Sequence, residues 1–558
     1  MNDELVDSTS TGLYTWLRDE AARDAARLVV TGYYRGADLT LSLSELFRAS
    51  TTLATGLQSL GVTNGQTIGL WLPNQVEWLV AQFACSALGV TILGLNTRFR
   101  SHEMSHLLAT VPLSAIILPS AFLNIDFVGT LDESFKECRA SDPDFSVPTL
   151  VFLDDVPAEA AVVAPHCVRY SDLVENDGHL EWRDHATVLS NLFTTSGSTS
   201  APKVAGHDQR TILRHALAGA AALGVRPNDR ILAALPLCGV FGYNSAMAVL
   251  VGGGSVLLLR SFDAREAAEH LMHSAITHVI GGDEMLGAIF AQMPEGADAP
   301  SLRRGGIANF AGHAKEVVEQ ADARWGAAIA GVYGSSELFA LSAIWPEDAP
   351  LELRSLQGGV PVDQGIEMRV ADLETGEPVA DGEPGELQFR GYNVIDQYLH
   401  NEAATRAAFS EDGWFRTGDL GYRAHGGFVY QCRAREVLRL RGFLVEPAEI
   451  EDYFGAERVV DEVHVVGVDT DAGTKAIAFI RPRAGEHIDE QALLVKAKQR
   501  LASFKVPERI VEVAEFPTTT GTNGTKVRFE VLREQARQIL AEAQKVDLSF
   551  PRKGGHVG

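Results

Sequence analysis

The sequence predicts an α/β protein in two parts: a large N-terminal domain of layered sheets with a β-rich subdomain, and a small α+β C-terminal domain. Three observations carry this. The chain has 558 residues, more than one compact core organises. Apolar β-like runs alternate with segments of helical periodicity over much of its length, the pattern of layered α/β folds with largely parallel strands. That texture changes near Leu353 and again after Arg433.

Taken in order, 68–72 is a short apolar run, 76–88 has helical spacing, 90–95 is apolar and 103–108 reads as helix. Strand-like runs follow at 231–235, 256–259 and 276–280. The apolar stretch 246–259 is interrupted by Gly252, Gly253 and Gly254. It is too short to span a membrane and reads as two buried strands and a turn. From 353 to 430, short β-like segments (366–370, 385–390, 427–431) are separated by Gly, Pro, Asp and Glu, as in hairpins. Beyond Arg433 come a helix (447–453), strands (462–468 and 476–481) and a helix (489–501). This places domains at 1–435 and 436–558, with a loose tail after Val546.

The formal net charge of −25 disfavours nucleic acid and anionic membranes as partners, although a locally basic nucleotide pocket is compatible with it. Cys85, Cys138, Cys167, Cys238 and Cys432 are dispersed and form no CxxC pair, which fits a reducing compartment. The start, MNDELVDSTS, lacks the basic and apolar regions of a signal peptide, so a cytoplasmic protein is expected.

The most informative stretch is TTSGSTSAPK, 194–203, after the apolar run 188–193. Hydroxyls, exposed backbone N–H groups and a lysine suit phosphate. It is not a Walker loop, having no GK[ST]. Alone, such a run is more often a linker; the strand before it and the APK after it favour phosphate.

TSGSTSAPK resembles the phosphate loop of the adenylate-forming superfamily, which includes acyl-CoA synthetases, peptide-synthetase adenylation domains and firefly luciferase. The resemblance implies that Thr195, Ser196, Gly197, Ser198, Thr199, Ser200 and Lys203 cradle the phosphates of ATP. Ser200 stands where the commoner form has glycine. Tyr333, Gly334, Ser335, Ser336 and Glu337 are similar to the family's next signature. They imply Tyr333 along the adenine, Ser336 on phosphate and Glu337 on magnesium, a hard cation that takes carboxylate oxygen. WFRTGDLGY, 414–422, resembles the ribose-binding segment, with Asp419 accepting from the ribose hydroxyls. Alone, YGSSE and TGD would read as turns. GELQFRG, 385–391, resembles a structural segment and is assigned no chemistry.

RAREVLRLRGFLVEPAEIE, 433–451, resembles the hinge and first helix of a mobile small domain. It implies Arg433 on the ribose or phosphate side, Glu436 as hinge, and Gly442 near coenzyme A, where a glycine lets backbone approach a ligand. Without its neighbours it would read as a basic β-hairpin. FKVPERI and PTTTGTNGTKVRFEVLR resemble the family's terminal motif and imply that Lys526 is the adenylation lysine. Together the matches span 70–533 in the order the family requires.

Some features depart or mislead. His102, Glu103 and His106 spell HExxH, but no third-ligand pattern follows and the segment falls on a helix the family uses structurally. PLCGVFGYN, 236–244, carries Cys238 and Gly239 where many relatives have Phe and His, and Gln209 replaces a common histidine. Cys238 reads as a small buried hydrophobe. The histidine that Gly239 replaces borders or gates the acyl pocket in several relatives, so the resemblance implies that Gly239 leaves room for an acid bulky near its carboxylate, or that another residue fills the gap. Asn309, Phe310, Ala311 and Gly312 align with a family stretch beside the substrate, and together with Gly239, Phe241 and Tyr243 the resemblance suggests a semi-aromatic pocket for an aromatic, cyclic or medium-length acid.

The implied reaction joins a small-molecule carboxylic acid to AMP from ATP and magnesium, releasing pyrophosphate. The acyl group then passes to coenzyme A as the small domain rotates about Glu436. Thr195, Glu337 and Lys526 would carry the first step. An amine or a carrier-protein thiol as acceptor, or a non-catalytic nucleotide- or acyl-binding homologue, stays open, as does a homodimer.

Overall fold

A computed structural model describes residues 11–175, 179–195, 203–434, 438–440, 443–445, 447–470, 473–501, 503, 505–521 and 524–548. Two large sheets organise the N-terminal part. The larger runs, from one edge, through Ile366–Ala371, Gly385–Gly391, Phe415–Ala424, Gly427–Arg433, Gly358–Pro361, Ala343–Ile344, Ala328–Tyr333, Arg304–Ala308, His278–Gly282, Arg230–Ala233, Ser255–Leu258, Leu28–Tyr34 and Ala37–Ser42. Pairings from Leu28–Tyr34 on Ser255–Leu258 through to Ala328–Tyr333 are parallel. From Ala328–Tyr333 outward they are antiparallel. The β-rich subdomain is therefore a continuation of the parallel sheet, joined through the two-residue strand Ala343–Ile344.

The second sheet is ordered Cys167–Arg169, Thr149–Phe152, Ala115–Leu118, Thr67–Leu70, Thr91–Gly94, Leu189–Thr194 and Val204–Asp208. It is parallel except at Leu189–Thr194 on Val204–Asp208. The helices Val76–Leu88 and Val240–Val251 are buried at every position. They share one core cluster with residues of both sheets, which fits their mostly apolar sequences. Burying one Phe there, such as Phe83, contributes about 1.5–3 kcal/mol.

The all-round burial also explains one correction. Residues 246–251 are the end of the helix Val240–Val251, not a strand, and only Ser255–Leu258 is β. With no polar face, a buried helix shows no 3.6-residue period to distinguish it from a strand.

In the C-terminal part, Val460–Thr470, Gly473–Pro482 and Arg509–Glu512 form a three-stranded sheet. One core cluster holds Ile450, Phe454 and Leu493, from Pro447–Gly455 and Glu490–Arg500; another holds Phe516, Leu532 and Ala536. The expected boundary at 435/436 falls on residues outside the described set. Among the described residues, no helix is long and apolar enough to cross a membrane.

Candidate active site

The site forms at the carboxyl ends of the parallel strands, where open α/β sheets bind ligands. Arg304–Ala308 and Ala328–Tyr333 are neighbours with Ile307 opposite Gly331, so the loop after Ala308 and Tyr333 emerge side by side. Tyr333 is stacked on Phe389 (centroids 5.5 Å apart, 15° between planes) and meets Phe428 edge-on. Its hydroxyl donates to Asp419 Oδ2 at 2.6 Å. Burial, and then the Asp419 charge, push the phenol's pKa up, so it remains a donor. Asp419 Oδ1 pairs with Arg433 Nε at 2.9 Å, across antiparallel strands that place the two residues opposite one another.

Asp419 is held from behind. Its N–H donates to Thr417 Oγ1, and Thr417 Oγ1 donates to Leu387 O. Glu386, in the strand to which the sequence assigns no chemistry, accepts from the Gly418 N–H (3.2 Å) and from Arg416 Nε (3.1 Å).

A second array lies around Glu337. Its Oε1 accepts from the Tyr398 hydroxyl at 2.8 Å, and the Lys203 ammonium sits 4.1 Å from the centre of the Tyr398 ring. Backbone bonds fix the arrangement: Leu399 N donates to Val204 O, and Ile395 N to Glu337 O. Thr195 N donates to Lys203 O at 2.8 Å, which brings the two residues flanking 196–202 together. The hydroxyls of Thr195 and Ser335 are buried and have no hydrogen-bond partner among the described residues. Orphaned hydroxyls are costly in a dry core and sensible beside a polar ligand. Lys203, the two hydroxyls, Glu337 and Asp419 form a donor and acceptor set that fits a nucleotide with its magnesium.

Gly334 belongs to the same loop. A Cβ there would lie 2.6–2.7 Å from the backbone of Ala340 and Leu341, so only glycine fits. Ser336 O accepts from His207 Nε2 at 2.8 Å.

The residues expected to line the acyl pocket divide into two groups. Gly239 precedes Val240–Val251, and Phe241 is nearly buried. Tyr243 is fully buried, with its ring against Trp78, Phe193 and Phe339. Asn74 holds the preceding loop: its amide donates to Ala233 O and Leu235 O and accepts from Leu237 N. Cys238 is buried and its thiol is pushed up to about 12, as befits a small hydrophobe.

Asn309, Phe310, Ala311 and Gly312 form the loop beside Tyr333. It is clamped by Asp283, which accepts from the N–H groups of Phe310 (3.0 Å), Ala311 (3.0 Å) and His313 (2.8 Å). Gln357 Oε1 accepts from Asn309 N, and Asn309 Oδ1 accepts from Ala314 N. Gly312 has φ +91, which suits glycine.

Gln209, in place of the common histidine, is used elsewhere: it accepts from Leu13 N and donates to Ser86 O. Glu103 of the HExxH run accepts from Arg100 N at the start of its helix. Ser196, Gly197, Ser198, Thr199, Ser200, Glu436 and Gly442 lie outside the described residues. Lys526 is on the strand Gly524–Val527, its backbone opposite Thr519 of Thr518–Gly521. Tyr398, His207, Asp283, Asn74 and Glu386 escaped the sequence reading. Each acts on backbone or on a distant side chain, so no local pattern marks them.

A family profile described as AMP-binding enzyme matches residues 17–399, well over half of the chain. A second, the AMP-binding enzyme C-terminal domain, matches 449–522. The chain is 28% identical to an indoleacetate–CoA ligase of Aromatoleum aromaticum, covering 95% of this chain and 98% of that protein. It is 27% identical to a mitochondrial medium-chain acyl-CoA ligase of Rattus norvegicus, over 90% of this chain and 84% of the relative. In fold it resembles ATP-bound MatB from Rhodopseudomonas palustris, with a TM-score of 0.78, 24% identity, and coverage of 95% of this chain and 99% of that one. The chain belongs to the family of AMP-binding enzymes, with both the family's main domain and its C-terminal domain.

Proposed function

We propose that this protein is an AMP-forming carboxylate–CoA ligase acting on an aromatic, cyclic or medium-length acid. The observation that carries the reading is a pair of arrays: Tyr333–Asp419–Arg433 on one side, and Glu337–Tyr398–Lys203 on the other. The first suits a nucleoside, with an aromatic face, a carboxylate for two hydroxyls and a guanidinium beside them. The second suits phosphates, with a cation and a carboxylate. The names of relatives, which include ligases of indoleacetate, 2-succinylbenzoate and medium-chain acids, support the substrate class.

In the first step an oxygen of the acid attacks the α-phosphorus of ATP. The bond from that phosphorus to the bridging oxygen breaks, and pyrophosphate leaves. Lys203 and the hydroxyl of Thr195 hold the departing phosphates, and Asp419 with Arg433 fixes the ribose. Lys526 follows the charge that spreads over the acid oxygen and α-phosphate. Glu337 would hold magnesium, which neutralises phosphate charge when bound. In the second step the thiolate of coenzyme A attacks the acyl carbon and AMP departs as the anion. The residues contribute mainly positioning and fixed charge.

Pyrophosphate release with ATP, magnesium and a panel of carboxylic acids, with and without coenzyme A, tests this. Release should require a particular acid and turn over repeatedly only with coenzyme A. Acid-dependent release that coenzyme A leaves unchanged would contradict the thiol acceptor, and no release with any acid would contradict adenylation.

A further inference from the structure

The segment after Glu337 adopts a conformation that its residues disfavour. Phe339, Ala340 and Leu341 have φ of 57, 50 and 36, three consecutive non-glycine residues in the left-handed region. Each Cβ there crowds the backbone, so such runs persist only where the surroundings over-determine them.

The surroundings do so carbonyl by carbonyl. His207 Nε2 donates to Ser336 O (2.8 Å) and Ile395 N to Glu337 O (2.9 Å). Asn393 Nδ2 donates to Leu338 O (2.9 Å), Asn244 Nδ2 to Phe339 O (3.0 Å) and His215 Nε2 to Ala340 O (2.9 Å). Five consecutive carbonyls are thus taken by donors from outside the turn. His207, Asn244, His215 and Asn393 are at most 3% exposed. Tyr392 hydroxyl donates to His215 Nδ1, which fixes the neutral tautomer that can serve Ala340. The Phe339 ring is wedged against His207 (4.7 Å) and His215 (5.5 Å). Ala340 N returns to Ser335 O and Ser342 N to Tyr333 O.

We propose that this left-handed turn is a built device that aims Ser336 and Glu337 at the nucleotide, with His207, His215, Asn244 and Asn393 as its positioning residues. The proposal rests on the adenylation reading of the site. His207 has a particular part. It stands on Val204–Asp208, the strand that leaves the phosphate-loop lysine, and holds the first carbonyl of the turn. It therefore sets the spacing between Lys203 and Glu337, the two ends of the phosphate site. Released, the turn relaxes toward the right-handed region and carries Glu337 with it.

The test uses the full-length enzyme with His207→Leu, which cannot donate, and His207→Gln, whose amide can. His207→Leu should raise the KM for magnesium-ATP about tenfold, the size of one buried hydrogen bond, with little change in the acid's KM. His207→Gln should restore most of that loss. A folded His207→Leu enzyme with wild-type nucleotide KM, an equal rise in both KM values, or no rescue by Gln would overturn the proposal. Ala340→Gly tests the turn without catalysis. Glycine is at ease at φ 50, so its melting temperature should hold or rise. A fall like that of an ordinary Ala→Gly exchange would overturn the strained turn. Absence of acid-dependent pyrophosphate release in the wild-type enzyme would defeat the adenylation reading alone, leaving the Ala340→Gly result to judge the turn.

Discussion

Tyr333 ties two strands of the candidate site together through one hydroxyl, donated to Asp419 at 2.6 Å. A hydrogen bond to a charged group is worth about 1.5–3 kcal/mol. Tyr333→Phe keeps the ring stack on Phe389 and deletes only that bond. It should raise the KM for ATP by about ten- to a hundredfold, and titration with ATP in the absence of acid would read the loss directly. At this scale the sequence was partly legible. Tyr333, Asp419 and Arg433 each sit in a local run that resembles a family signature. The side chains that hold Glu337 and Ser336 do not. Tyr398 and His207 reach the site across 61 and 129 residues of chain, and nothing beside them in the sequence marks the contact.

The loop Asn309 to Gly312 shows how an element is placed. Its backbone N–H groups have no strand to pair with, so the buried Asp283 carboxylate accepts three of them. Asp283→Ala should cost about 2–4 kcal/mol of stability, because the partly exposed loop recovers some bonds from water. Denaturant unfolding measures the loss, and a rise in the acid's KM should accompany it. Strands and helices were legible where one face is polar: Glu490–Arg500 and Gly385–Gly391 match the expected segments closely. Residues 246–251 were not, because burial on every side removes the periodic signal that separates helix from strand.

Across the whole molecule, three buried histidines link stability to pH. Burial lowers His207, His215 and His278 from 6.5 to about 4 each, because the charged imidazolium is poorly solvated inside. Their folded pKa lies below the unfolded one, so the unfolded chain binds more protons between those values. Stability is complete above pH 6.5 and falls as pH drops toward 4, by up to about 1.4 kcal/mol per unit for each histidine. Melting temperatures across pH 7.5 to 4 should show this decline, and His215→Gln should make it shallower. The two-part architecture was legible from the change in texture at Arg433. The union of the parallel and antiparallel strands into one sheet was not, since it depends on a two-residue strand, Ala343–Ile344, that no pattern announces.

The most direct measurement of the central claim separates the two half-reactions in Lys526→Ala. Acid-dependent exchange of labelled pyrophosphate into ATP reports adenylation; thioester formation from pre-formed acyl-adenylate and coenzyme A reports transfer. The account predicts that the variant loses exchange by at least about a thousandfold, as when a group that stabilises transition-state charge is removed, and largely keeps transfer. Retained exchange, or equal loss of both half-reactions in folded protein, would contradict it.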